Sequence, residues 1–244
     1  MARRRILTLT LGALAGFAVL IGLGTWQVER LHWKQGLIAQ REAAVSAPPA
    51  ELPRALEAAR PLAFHRIEAR GLFLHDHEIL LHAIERQRGA AGYLVLTPLR
   101  LDDGSVVLVE RGWVPIDKRA AGTRAQGNPP GEITVDGLLR LAPAEKPGWF
   151  VPANDPGRDE WFWIDLPAVA RAASVPAALP FYLEAGPAPN PGGLPVGGQA
   201  NTDLPNDHLQ YAITWYALAA ALAVIYVMLL RRERAAARKS CDRT

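Results

Sequence analysis

The chain has 244 residues, 50% of them hydrophobic, and a formal net charge of +3 at pH 7. Residues 3–5 contribute +3 and residues 231–244 contribute +4, so the residues between these tails carry −4. Nucleic-acid binding needs a basic surface on the folded part of a protein, so an acidic middle argues against that function. The only cysteine, Cys241, lies in the second basic tail, which excludes disulfides and cysteine metal sites from the middle.

The first predicted element is a transmembrane helix over residues 6–26. Residues 6–28 carry no charge, and about 20 apolar residues are enough to cross the hydrocarbon core of a bilayer. A cleaved signal peptide is the competing interpretation, but the run is long and ends without an Ala-x-Ala site, so a permanent anchor is predicted. Gly12 and Gly16 form a small-xxx-small pair that favours contact with another span. Amphipathic spacing over 27–44 predicts that the helix continues outward.

The middle of the chain, residues 27–208, is predicted to be a mainly antiparallel β domain, a sandwich or barrel. A short helix is predicted at 52–59, and a second at 166–173 with Asp165 as its N-cap. The hairpin signal Asp102-Asp103-Gly104 joins two of the predicted strands. Strands are predicted at 65–73, 78–82, 93–101, 106–114, 132–141, 161–165 and 181–184.

Residues 185–205 are predicted to be a connector that returns the chain to the membrane. They contain five prolines and five glycines, a composition typical of a linker. The pattern leaves two possibilities open, a segment ordered by its contacts with the domain or a disordered one.

A second transmembrane helix is predicted over residues 209–230. It is followed by the basic tail 231–244, and basic residues flanking spans favour the cytoplasmic side. Residues 1–5 and 231–244 are therefore predicted to be cytoplasmic tails. The fold class is then a membrane-anchored α+β protein, with two transmembrane helices flanking an extracytoplasmic β domain. The expected location is a bacterial inner membrane, with that domain in the periplasm.

The strongest candidate for a functional residue is His208, at the mouth of the second span. A neutral imidazole in this position is able to ligate haem iron. The alternative is a histidine at the helix entry that is hydrogen-bonded to a neighbouring loop. Residues three, four and seven apart share a helix face, which groups His208 with Tyr211 and Trp215. Trp26 and Gln27 end the first span on the same side of the membrane, and together these residues are predicted to form a shallow groove.

Arg111 is a second candidate, at the end of the buried strand 106–114. Arginine matches carboxylates in geometry and charge, so Arg111 could bind an anionic group such as a haem propionate. The alternative is an ion pair with Glu110, Glu132 or another carboxylate of the domain.

Histidines 75, 77 and 82 form the only histidine cluster in the sequence. A metal site is one interpretation, and a turn between two strands is the other. The sequence contains no GxSxG motif, no phosphate-binding loop and no nucleophile–base pattern. An enzyme is therefore not predicted, and a membrane-anchored envelope enzyme is kept as an alternative.

Four blocks in this order, between two spans, resemble the Surfeit locus protein 1 family, which assembles haem–copper cytochrome c oxidase. Glu110 departs from the small polar residue expected before Arg-Gly-Trp in this family. The blocks are residues 23–31, residues 92–99, residues 111–115 and residues 206–215.

The resemblance implies help in delivering haem a to the catalytic subunit of the oxidase. In bacterial members the histidine at the position of His208 is proposed to contact haem a, so His208 is the expected ligand of the haem iron. The implied partners are that catalytic subunit, haem a synthase and the lipid bilayer, and the implied cofactor is haem a, held transiently. An assembly chaperone that binds only protein is the main alternative.

Overall fold

The computed structural model describes residues 2–86 and 89–241, which form two compact units. One unit is Met1–Gln40 with Asp203–Thr244, and the other is Arg41–Thr202. Met1 and the last three residues of the predicted cytoplasmic tail lie outside the described residues. The helices are α1 (Ala2–Ser46), α2 (Leu56–Ala59), α3 (Leu166–Ala172) and α4 (His208–Cys241).

Helices α1 and α4 each contain a stretch that is long and apolar enough to cross a membrane. Both predicted spans lie inside these helices. The predicted continuation of the first span as a helix is also confirmed, since α1 continues to Ser46, just before Pro48 and Pro49. Leucines such as Leu7, Leu11 and Leu218 are exposed on the two helices, as expected for surfaces that face lipid rather than water.

The second unit is a β-barrel. Strands β1, β5, β6, β4 and β3 are hydrogen-bonded in that order, and a pairing between β1 and β3 closes the ring. Strand β2 pairs with β3 outside the ring, and all pairings are antiparallel except that of β4 with β6. The predicted mainly antiparallel, barrel-like domain is therefore confirmed. The strands are β1 (Arg66–Phe73), β2 (Ile79–Ile84), β3 (Ala91–Leu101), β4 (Val106–Pro115), β5 (Glu132–Arg140) and β6 (Tyr182–Ala185).

The predicted hairpin of β3 and β4 is present and contains a β-bulge. Leu96 is paired with Glu110, but the preceding residue, Val95, is paired with Gly112. Arg111 is thus the extra residue on β4, which bends and twists the strand locally. Gly112 has a φ of +128°, a conformation that other residues rarely adopt.

The described residues form three buried apolar clusters, and the two larger ones lie on opposite faces of the sheet. Inside the barrel, Val107 and Val109 are completely buried together with side chains from the other strands. The opposite face of β4 carries Leu108, which is covered by Trp161 and by Val169 of α3. Helix α3 begins as predicted, because the carboxylate of Asp165 accepts a hydrogen bond of 3.1 Å from the Ala168 amide.

Two of the predicted elements differ in the structure. The predicted strand at 161–165 is wrong: Trp161 makes a single bridge, and Asn154 Oδ1 accepts from the Phe162 and Trp163 amides. These bonds turn the chain toward Asp165, where it must cap α3. The predicted helix at 52–59 begins late, at Leu56, because Ala55 is in an extended conformation. Pro53 disfavours a helical conformation only in Leu52.

The connector is ordered by contact in its part within the barrel unit, residues 185–202, here called the strap. Val196 exchanges two backbone hydrogen bonds with Trp113 of β4, at 2.9 and 2.8 Å. A methyl group at Gly112 would overlap the Val196 carbonyl, and one at Gly127 would overlap the Leu194 carbonyl. Glycine at these two positions is what lets the strap lie directly against the barrel.

Candidate functional site

The two long helices pack through small residues. In α1, Gly24 lies under the Tyr216 ring, where a Cβ would be 2.6 Å from ring carbon Cε1. Gly16 faces Leu222, where a Cβ built on the glycine would be 3.3 Å from Leu222 Cδ2. A Cβ built at Gly12 would have no described atom of another element within 4 Å. The prediction that Gly12, together with Gly16, contacts the other span is therefore wrong for Gly12. The close contacts are eight residues apart in α1, which is about two helical turns.

Three polar pairs join the helices at different depths. The Thr10 and Tyr226 hydroxyls are 2.8 Å apart, and the Thr25 and Tyr216 hydroxyls are 3.2 Å apart. The contact between α1 and α4 is here called the seam. At the end of the seam nearest the start of α4, Gln27 Oε1 and His208 Nδ1 are 2.7 Å apart. Each of these six polar side chains thus has a partner across the seam, as is usual where water is scarce.

The contact with Gln27 determines which ring nitrogen of His208 is available. A carbonyl oxygen can only accept, so His208 Nδ1 carries the proton and donates it to Gln27 Oε1. In the neutral ring Nε2 then bears the lone pair. In the described part of the chain Nε2 has no hydrogen-bond partner. Nε2 is therefore the ring nitrogen that could accept a further hydrogen bond or bind a metal.

The other predicted residues of this site are placed differently. Trp26 and Tyr211 are 50% and 56% exposed, and Trp215 is half-buried. The structure therefore brings Gln27 directly to His208 and leaves two aromatic rings exposed on the helices. Tyr216 was missed, although Gly24 and Thr25, which contact it, lie in the block around Trp26 that carried the family resemblance.

The donor set suits a group that needs one protein ligand. Within residues 2–86 and 89–241, no three His, Cys, Asp or Glu residues are grouped so that they could hold a metal ion. A bare ion would need several such ligands, whereas haem iron already has four ring nitrogens and needs only an axial one. His208, with its second nitrogen held by Gln27, matches that requirement.

Arg111 belongs to the barrel unit, where its side chain is only 2% exposed. Its Nη1 donates to Asn128 Oδ1 at 2.9 Å and to His75 Nδ1 at 3.4 Å, and its Nη2 donates to the Gly127 carbonyl. The guanidinium carbon is 4.7 Å from the centre of the Phe73 ring. Burial lowers the pKa of Arg111 to about 10. Arg111 thus joins the bulge to two neighbouring loops.

The predicted carboxylate partners of Arg111 are wrong. Glu132 is bonded to Arg70 at 2.7 Å, and Glu110 lies beside Glu184 on the next strand. The reason is the bulge, which turns Arg111 toward the 3₁₀ segment Ala121–Gly127. Almost fully buried and bonded to protein oxygens, Arg111 offers little surface to a propionate.

Two members of the histidine cluster, His75 and His77, lie in the turn between β1 and β2, as one of the two interpretations predicted, while His82 lies within β2. His75–His77 is a single 3₁₀ turn, and His75 Nε2 donates to the Pro129 carbonyl at 3.2 Å. Burial, more than any other influence, lowers the pKa of His75. His75 thus has a neutral ring with both nitrogens bonded to the protein, and we assign it a structural role.

Two buried carboxyl groups on β4 and β6 were missed in the sequence. Glu110 and Glu184 are opposite each other on these parallel strands and are 5% and 8% exposed. Arg140 donates to Glu184 at 2.9 Å. Burial, and then the charge of Glu184, raises the pKa of Glu110 to about 8. A glutamate directly after the apolar run 106–109 was the signal that could have revealed this pair.

The chain is similar to known proteins over most of its length. The sequence profile of the SURF1 family matches residues 14–220. A SURF1-like protein of Monosiga brevicollis is 38% identical over 88% of this chain and 84% of its own length. Surfeit locus protein 1 of Homo sapiens is 37% identical, over 84% of this chain and 72% of its own length. Surfeit locus protein 1 of Rattus norvegicus is 38% identical, over 86% of this chain and 71% of its own length.

The matched region includes Gln27, Arg111 and His208, and therefore residues from both units. Members of this family are generally non-enzymatic and are known as cytochrome c oxidase assembly factors. The chain belongs to the SURF1 family.

Proposed function

We propose that this protein assists cytochrome c oxidase assembly by holding haem a transiently and passing it to the catalytic subunit. The observation that carries the proposal is the 2.7 Å hydrogen bond from His208 Nδ1 to Gln27 Oε1. It fixes the ring and its tautomer, as the outer hydrogen bond of a metal-ligating histidine does. Nε2 is then the atom that would bind the haem iron.

A single axial ligand suits a carrier better than a permanent haem protein. His208 is the only histidine in the two uncharged runs of spanning length, so the spans offer one imidazole. Bound haem supplies the iron that this imidazole would hold and the flat ring that aromatic side chains would contact. Tyr211 lies one turn after His208 and is exposed, which leaves its ring free for that contact.

The membrane orientation is part of the same proposal. The basic residues at both ends of the chain favour cytoplasmic tails, with the barrel in the periplasm of a bacterial inner membrane. His208 and Gln27 would then lie at the periplasmic boundary. A reporter that is active only outside the cytoplasm should give no signal when fused after Thr244, and a strong signal would refute this orientation.

The central experiment replaces His208 with alanine. The full-length protein is co-expressed with the enzymes of haem a synthesis, purified in detergent and examined by absorption spectroscopy. We expect a Soret band in the parent, and its loss in His208→Ala at an unchanged yield of inserted protein. His32→Ala is the matched control, since His32 is also exposed on a helix of this unit, and it should keep the band.

The alternative is a chaperone that binds only the oxidase subunit or haem a synthase. Under that alternative the parent has no Soret band, while its deletion still lowers the amount of assembled oxidase. If His208→Ala instead binds haem as the parent does and supports full oxidase activity, the ligand role of His208 is refuted.

A further inference from the structure

A small cavity lies in the same helix pair, deeper in the membrane than His208. Its volume is about 210 Å³ and its wall is entirely apolar. Tyr226 contributes to the wall, but its hydroxyl is bonded to Thr10 at 2.8 Å, so the side chain has no unpaired polar group. The lining residues are Ala13, Leu14, Phe17, Leu222, Ala223 and Tyr226.

Two alanines create this cavity. Gly16 brings α1 close to Leu222 of α4, and a contact this close between membrane helices is normally filled by side chains. One turn away, Ala13 and Ala223 are too small to fill the space between larger neighbours. The cavity is open at the outer surface of the helix pair, where Leu14 and Phe17 are 58% and 39% exposed. Its apolar wall and its volume suit a hydrocarbon segment of several carbons that enters from that side.

The cavity lies along the seam that begins at His208. With a rise of about 1.5 Å per residue, Leu222 is ~21 Å from His208 along α4 and Phe17 is ~15 Å from Gln27 along α1. A ligand held at His208 reaches the cavity only through a long, flexible, apolar substituent. Haem a and haem o carry such a substituent, a farnesyl chain, whereas haem b has a vinyl group in its place.

We infer that the cavity receives the end of the isoprenoid chain of a haem held at His208, so that the helix pair selects prenylated haems over haem b. The inference rests on the haem role proposed above and adds the part of the ligand that is recognised. An acyl chain of a membrane lipid is the competing occupant. The farnesyl chain is favoured because cavity and ligand atom share one seam, at a separation that an extended chain covers.

The test compares haem o with haem b, which differ only in the farnesyl chain. Each is titrated into the full-length parent protein in detergent, with the Soret band as the signal. We expect the parent to bind haem o at least tenfold more tightly. Ala223→Phe fills the cavity and should bring the affinity for haem o down to that for haem b. Ala221→Phe adds the same ring at an exposed position of α4 and should keep the preference.

Three results would overturn the inference. Equal affinities of the parent for haem o and haem b, both lost in His208→Ala, would refute chain recognition and leave the haem role intact. A preference that survives both Ala223→Phe and Ala13→Leu, which fills the cavity from the opposite wall, would exclude this cavity. A parent that binds neither haem would refute both proposals. If Ala223→Phe does not insert into the membrane, Ala13→Leu takes its place in the test.

Discussion

The two units differ in where their hydrogen-bonded polar side chains lie, nearly buried in the barrel and half-exposed at the end of the helix pair. In the barrel, Arg111 and Arg124 are both less than 5% exposed and donate to main-chain oxygens, to Asn128 or to Glu78. In the helix pair, His208 makes one hydrogen bond, and its Nε2 has no partner in the described part of the chain. His208 Nε2, rather than the charged side chain of Arg111, is therefore the candidate ligand atom.

The difference follows from what each surrounding requires. A dry protein interior penalises polar atoms without a partner. The Arg111 guanidinium meets this requirement at Nη1 and Nη2, whereas its buried Nε has no partner in the described part of the chain. The end of a membrane helix is less restrictive, because one side of the ring can face lipid headgroups, water or a ligand. The barrel itself thus accounts for the bonds of Arg111, while the second ring nitrogen of His208 is left to the surroundings of the helix end.

The largest expected effect is on the barrel. Arg111→Met leaves the Gly127 and Asn128 oxygens without a donor, and we expect a loss of about 3 kcal/mol in the free energy of unfolding. Arg54→Met removes an exposed ion pair with Asp103 and should change the stability far less, because solvent screens such a pair. Denaturant unfolding of the full-length protein, followed by near-UV circular dichroism, measures both. If Arg111→Met instead keeps normal stability but no longer binds haem, Arg111 belongs to the haem site and does not mainly stabilise the barrel.

Per pH unit, a smaller effect is expected from the buried carboxyl pair. Folded Glu110 keeps its proton up to about pH 8, whereas the unfolded chain releases it near pH 4.5. Between these values the folded state binds more protons, so stability falls as pH rises, by up to ~1.4 kcal/mol per pH unit. Arg140 offsets part of this by favouring the charged form of the pair, whereas Tyr182 on the same face is neutral in this interval.

Glu110→Gln keeps the shape of the side chain and cannot release a proton. Its stability should therefore change much less between pH 5 and 8, when melting temperatures of the full-length protein are compared across that interval. Glu132→Gln, at an exposed position, should keep the slope of the parent. An unchanged slope in Glu110→Gln would show that this pair does not carry the pH dependence.

The smallest effect is expected at the helix pair. Gln27→Leu removes the acceptor of His208 Nδ1 but leaves Nε2 able to bind iron. We expect haem binding to weaken by about tenfold, at the low end for outer-shell partners of metal ligands, with little change in barrel stability. The measurement is the haem titration described above. Complete loss of haem would mean that Gln27 does more than orient the ring.

Local patterns were enough to predict much of the fold. The hairpin of β3 and β4, the Asp165 cap and the two long helices all depend on neighbours in sequence. The parallel pairing of Leu108 with Tyr182 and the closure of β1 on β3 depend on distant strands. Propensity and periodicity carry no information about such pairings, which explains why barrel and sandwich could not be distinguished.

The candidate site was predictable in its residue types but not in its contacts. The pattern placed Gln27 and His208 at the same end of the two spans, but the bond between residues 181 positions apart depends on how the helices pack. Arg111 was misjudged because the bulge that redirects it is set by the register of β3 against β4. A strand predicted as regular gives the wrong side-chain direction beyond such a point.

The strap has a consequence for protein engineering. Segments rich in proline and glycine are the usual choice for inserting tags or fluorescent domains, because exposed loops tolerate insertions. Here the choice would be harmful, since Val196 is hydrogen-bonded to β4 and extra residues on either side would pull on that pairing. The exposed loop around Trp149 and Phe150, whose side chains are both 81% exposed, is the better insertion point in the barrel. Composition alone would have suggested the opposite.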